Sequence, residues 1–331
     1  MALAVRLSPA KAGSRLFFLV APGSASLHPG LHAFARSRGL VKMPKLQTPA
    51  SSRHRTSGQE CRPEGRCYNS SPHVQFSMTQ NYKAVIQYDG TEYYGWQIQK
   101  HHPTIQAELQ KAIQKITSQR TIIIGSGRTD SGVHAEGQAT SFRLQRNYDC
   151  AKLRQALNAL LPESIRVIRL SKAGSKFHAQ FSAVRKIYWY RIWNAPVANP
   201  FWRRFALHVP HRLDLERMNS AASRLKGRHN FRAFAAASAT SETFERAVQL
   251  SRFTRQGRML IYQIAADGFL HHMVRNIVGT LLLVGSGKLP PTSIREILRS
   301  QDRTRAGPTA PAQGLTLKKV IYSSSARREL A

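Results

Sequence analysis

The sequence predicts an α+β fold in two similar halves, on three observations. Strand-like and helix-like segments follow one another in mixed order rather than as strict βαβ units. The 331-residue chain is 42% hydrophobic and 20% charged, enough apolar side chain for a sizeable core. A seam at residues 194–201, bearing Pro196 and Pro200, divides the patterned region into stretches of ordinary subdomain size. The expected organisation is a basic N-terminal extension over 1–77, a first half over 78–195 and a second over 196–331. The sheets are expected to be largely antiparallel or mixed.

Each element has a local reason. Residues 82–88 (YKAVIQY) read as a strand that Asp89-Gly90 ends with turn chemistry. Thr104 caps a helix over 105–118, in which Ile105, Leu109, Ala112, Ile113 and Ile116 keep one apolar stripe. A short buried strand is expected at 121–124, a glycine-rich loop at 125–132 and a returning strand at 139–144. Residues 151–161 suit a helix ended by Pro162. Residues 165–170 and 177–193 are strand-like, the second long and aromatic. In the second half, 213–225 reads as a helix, and 247–253 pairs with 259–265 across the turn Arg255-Gln256-Gly257-Arg258. A long helix is expected over 268–284, a short one over 293–299 and a closing strand over 315–322. No repeat links the halves at the level of sequence.

Charge narrows the partners. The chain holds 50 Lys+Arg against 17 Asp+Glu, a net charge of +33. Residues 1–59 hold no acid and nine Lys/Arg among many Ser, Pro, Ala and Gly, which fits a disordered basic tail, an organelle transit peptide or sequence upstream of a start at Met78. Location follows that choice: cytoplasmic, or mitochondrial if the extension is a transit peptide. With 11 basic and 2 acidic residues set aside in 1–77, the remainder keeps 39 and 15, a balance of +24. Such a body attracts polyanions, and nucleic acid fits better than a membrane surface, because no single helix collects the charge. Three scattered cysteines (Cys61, Cys67, Cys150) make neither a disulfide framework nor a zinc pattern and point to a reducing compartment. No apolar run approaches the roughly 18 residues of a spanning helix.

The densest chemical signal is the loop Gly125-Ser126-Gly127-Arg128-Thr129-Asp130-Ser131-Gly132-Val133-His134. Its glycines permit close approach while Arg128, Asp130 and His134 share one tight turn. It is not a dinucleotide loop, since the sixth position of a motif starting at Gly125 is Asp130 and no helix clearly follows. Asp130 either caps its own loop or meets a cation from elsewhere. Arg275, on the largely apolar stretch Phe269-Leu270-His271-His272-Met273-Val274-Arg275-Asn276-Ile277, is the candidate cation; the alternative is a guanidinium snorkelling to solvent or RNA phosphate. Adjacent His271 and His272 on a helix would point about 100° apart, which disfavours shared metal ligation. Tyr188 and Tyr190 of Arg185-Lys186-Ile187-Tyr188-Trp189-Tyr190 face one side of a strand, with Trp189 on the other; such tyrosines pack a core or stack on an extruded base.

These stretches closely resemble the tRNA pseudouridine synthase A family. The likeness runs from about Tyr82 to Tyr322 through YDGTEYYGWQ (88–97), GRTDSGVHA (127–135), FHAQFSAVRKIYWY (177–190), GFLHHMVRNIVG (268–279) and AGPTAPAQGL (306–315). The resemblance implies the pseudouridine synthase fold, whose two halves flank a central, positively charged RNA-binding cleft. It implies isomerisation of uridine to pseudouridine on the 3′ side of the tRNA anticodon stem-loop (about positions 38–40), by a homodimer, without metal or organic cofactor. By matching position, Asp130 would be the catalytic carboxylate and Tyr188 would stack on the uracil. Arg275 would pair with Asp130, and Arg128 would hold the displaced strand. Gln180 departs from the family's usual Arg in FHARFSA, which removes one charge near the site. A non-catalytic RNA-binding protein on the same scaffold is the competing reading; pure binding has no need of a buried carboxylate. Hydrolysis is disfavoured, because no second carboxylate accompanies Asp130 to activate water.

Overall fold

A computed structural model describes residues 79–322; the expectations for the extension at 1–77 and for a start at Met78 concern residues outside them. Strand β1 (Gln80–Tyr88) alternates buried and open positions, and helix α1 (Ile105–Thr117) is capped by the Thr104 side chain and ends at Ser118 in the left-handed region. β2 (Ile124–Gly125) and β3 (His134–Leu144) follow, then α2 (Cys150–Leu160), capped by Asp149, and β4 (Ile165–Ala173). β5 (Ala183–Asn194) and β6 (Leu207–Val209) lead to α3 (Leu215–Ser223) and β7 (Gly227–Asn230). The chain closes with β8 (Glu245–Gln256), β9 (Met259–Ala266), α4 (Met273–Gly285), α5 (Ser293–Ser300) and β10 (Leu315–Tyr322).

The strands make one continuous, mostly antiparallel sheet in the order β4-β1-β3-β10-β5-β9-β8-β7, with β2 added on β3 and β6 on β5. β10, the last described strand, sits centrally. It runs parallel to β3, Thr316 opposite His134, and antiparallel to β5, Leu317 opposite Tyr188. α1 and α2 pack together beside the β1–β4 half, while α3, α4 and α5 pack on the β8 side. The apolar core is continuous from Tyr82 and Ile113 through Tyr190 to Ile277 and Leu281. No helix among the described residues is long and apolar enough to cross a membrane.

Of the boundaries that differ from expectation, four have a plain physical reason. Of the expected 121–124 strand only Ile124 pairs, together with Gly125 of the following loop, and Ile122 is exposed rather than buried. β3 begins at His134, five residues early, because β10 supplies a distant partner for its first residues. β5 begins at Ala183, since His178 Nδ1 accepts the backbone N–H groups of Gln180 and Phe181 and coils that stretch into a turn. α4 begins at Met273 instead of 268, because His272 has φ 60° and breaks the helix there.

Candidate active site

The Asp130 loop is held in place by the segment 90–97 that precedes α1. Trp96 N–H donates to the Thr129 carbonyl at 3.1 Å, and Gly132 N–H and Ser131 Oγ both donate to the Tyr93 carbonyl at 3.2 Å. Gly95 makes this approach possible: its φ is +84°, and a Cβ there would lie 2.5 Å from the Thr129 carbonyl oxygen. Beneath the loop, Thr129 Oγ1 and the Tyr88 hydroxyl share a hydrogen bond of 2.9 Å, and Gln138 Nε2 donates to the Gly127 carbonyl at 2.9 Å.

The opposing wall is α4. Arg275 Nη1 donates to Asp130 Oδ2 at 2.9 Å while its Nε donates to the Ala310 carbonyl at 2.7 Å. The carboxylate therefore reaches an arginine 145 residues away rather than capping its own loop. Ala310 N–H in turn donates to the Arg275 backbone carbonyl, so the AGPTAPAQGL stretch holds Arg275 by its backbone as well as by its side chain. That stretch meets α4 at Gly279, where a Cβ would collide with the Pro308 carbonyl. Both partners are largely covered, with side-chain exposures of 16% for Arg275 and 20% for Asp130. An ion pair so placed is weakly screened and fixes the rotamers of both groups.

Asp130, Arg128, Tyr188 and Arg275 all line one cleft of about 1090 Å³. Asp130 is the sole carboxylate among the described residues that line it. Tyr188 stands with Phe269 edge-on to its ring at 5.0 Å. Burial pushes its phenol well above the ordinary tyrosine value, with Tyr88 and the Asp130 charge adding to the effect, so it stays neutral. Arg128 is exposed on the cleft wall, as is Gln180. Tyr190, by contrast, is fully buried with its hydroxyl donating to the Pro311 carbonyl, a packing residue.

Two histidine expectations are corrected. His134 does not share the site: its side chain is buried beyond the loop against Phe205, taking Gly90 N–H on Nδ1 at 3.0 Å, which leaves Nε2 to donate to the Arg204 carbonyl at 2.8 Å. His271 and His272 do not diverge along a helix. Because α4 starts after them, their Nε2 atoms lie 3.6 and 3.5 Å from the two Asp130 oxygens, donor spacing that a metal ion could span. The surrounding charge opposes a cation: Arg275 already holds Asp130, and the N-terminus of α4 adds its positive end. The fit is to an anion and its counter-charge.

Sequence reasoning missed three participants. Tyr88, which props Thr129, reads only as the last residue of a strand, Ala310 acts only through its backbone, and Lys186, which lines the cleft, reads only as part of a basic and aromatic strand.

Comparison with known proteins gives a family model described as tRNA pseudouridine synthase, matching residues 84–182 and 221–323. The tRNA pseudouridine synthase A of Syntrophomonas wolfei is 46% identical over 245 residues, covering 74% of this chain and 98% of its own length. Its counterpart from Thermoanaerobacter sp. is 43% identical over 242 residues, covering 73% and 99%. The Francisella tularensis enzyme is 37% identical over 242 residues, covering 73% and 94%.

Proposed function

The chain belongs to the tRNA pseudouridine synthase family, and from that premise we propose that Asp130 drives the isomerisation of tRNA uridine to pseudouridine on a nucleotide swung out into the cleft. The reaction breaks the N1–C1′ bond, joins C5 to C1′, moves a proton off C5 and leaves one on N1. It needs no oxidant and adds no atom. A nucleophilic carboxylate suffices, attacking either C1′ of the sugar or C6 of the uracil. Arg275 supplies the counter-charge and aims the oxygens. The uracil leaves its stack at a cost of a few kcal/mol, offset by the face of Tyr188 and by phosphate contacts that include Arg128. Lacking a second carboxylate in the described cleft to activate water, the site rejoins the base rather than hydrolysing it.

The target on the 3′ side of the anticodon stem-loop, and a homodimer across which tRNA lies, complete the proposal; both rest on the resemblance. The observation that carries the catalytic assignment is the Arg275–Asp130 pair in a cleft otherwise free of described carboxylates. Its test is Asp130→Asn with tRNA tritiated at uracil C5. Binding should stay within a few-fold of wild type while tritium release stops; continued release would remove Asp130 from the chemistry.

A further inference from the structure

Lys186 is a cation without an ion-pair partner among the described residues. It is partly buried in the cleft wall on β5, and its nearest charged influence is another cation, Arg246 on β8. Burial, reinforced by Arg246, draws its ammonium below the ordinary lysine value. Arg246 is braced by the carbonyls of Thr243 and Glu245 at 3.0 and 2.6 Å, with Asp267 near enough to be felt but not paired. Space for each cation is left by a glycine. A Cβ on Gly127 would stand 3.0 Å from Lys186 Nζ, and a Cβ on Gly268 would stand 3.3 Å from Arg246 Nε. Two glycines of the stretches that carry the Asp130 and Arg275 chemistry thus make room for two cations, neither of which is in an ion pair among the described residues.

Placement supplies the missing anion. Lys186 and Tyr188 are two residues apart on a strand, so they share one face about 6.6 Å apart along it. Across the sheet, Lys186 lies opposite Ala266, which lies opposite Val248, two residues from Arg246. With uracil against Tyr188 and ribose at Asp130, the sugar–phosphate backbone passes this pair. We propose that Lys186 and Arg246 together grip the RNA phosphate beside the extruded uridine. The inference rests on the reading of the cleft as the tRNA site and adds residues to it that hold the backbone rather than react.

The test uses the full chain and a tRNA transcript from which wild type releases tritium. Lys186→Met and Arg246→Met should each weaken tRNA binding roughly tenfold near 0.1 M salt, a charge-assisted contact's worth. Each should lower the slope of log K against log salt by about 0.7–0.9, the share of one phosphate. Losing the same phosphate, the double variant should lose little more than either single one. Lys186→Arg should restore most of the affinity. Because an unpaired cation is relieved, Lys186→Met should melt at or above the wild-type temperature, which a merely structural residue would not do. A second measurement replaces the phosphate on either side of the target uridine with methylphosphonate: one substitution should cost wild type the same factor and Lys186→Met almost nothing. Unchanged salt slopes, or methylphosphonate losses equal in both proteins, would overturn the clamp while leaving the cleft assignment standing. Absence of tritium release from any transcript by wild type would sink both.

Discussion

Arg275 holds Asp130 by one nitrogen and Ala310 by another, and the two attachments do different work. The first balances charge and the second sets direction. Arg275→Met removes both and leaves a half-buried carboxylate unpaired, so kcat/KM should fall by roughly 10- to 100-fold or more, the range of a charge-assisted bond. Arg275→Lys keeps the charge but not the planar two-ended reach, and single-turnover rates should place it between wild type and Met. Equal rates for Lys and Met would mean that charge is immaterial. At this scale the sequence was informative where chemistry is scarce: an acid in a basic chain and an arginine on an apolar stretch stand out by themselves. It was silent on Tyr88 and Ala310, whose parts are a hydroxyl contact and a backbone carbonyl that any sequence could supply.

Among the elements, α4 binds the site to the rest of the second half, and Gly279 is where it meets the 306–310 segment. Ala at 279 would place a Cβ inside the Pro308 carbonyl, forcing helix and segment apart and shifting Ala310 away from Arg275. The expected cost is about 1–3 kcal/mol in urea denaturation, together with a loss of kcat larger than the loss of tRNA affinity. A fully active and fully stable Gly279→Ala would show that the segment yields freely. The start of α4 also shows where periodicity misleads. Phe269 and Leu270 continue the apolar spacing upstream, yet His272 adopts a left-handed conformation that no hydrophobic pattern signals. β3 was read short for the complementary reason: its first residues depend on β10, about 180 residues later, and long-range pairing leaves little trace in a local window. Elements capped by Thr104, Asp149 and Asp214 kept close to their expected bounds because a cap is a local hydrogen bond.

For the molecule as a whole, acidity should weaken the fold in two stages. His134 and His272 titrate below the ordinary histidine value of 6.5, chiefly because burial disfavours the charged ring. Each binds fewer protons folded than unfolded between its own value and 6.5, so stability falls as pH drops through that interval. Asp89 and Glu136 titrate below 3.8 and 4.5: burial alone would raise them, but hydrogen bonds from Thr91 to Asp89, and from Lys318 and Arg191 to Glu136, outweigh it. Their contribution is complete above those values and is lost as pH falls further. Calorimetric melting temperatures should therefore drop first below pH 6.5 and again below 4.5; a midpoint that rose on entering the first interval would contradict the buried neutral histidines.

The central seat of β10 also has a temporal meaning. On the ribosome, β3 and β5 emerge long before the strand that must lie between them, so their facing edges wait unpaired until residues 315–322 arrive. Catalytic competence is therefore withheld until β10 has been made, and a nascent chain halted before Leu315 exposes two sticky strand edges instead of an enzyme.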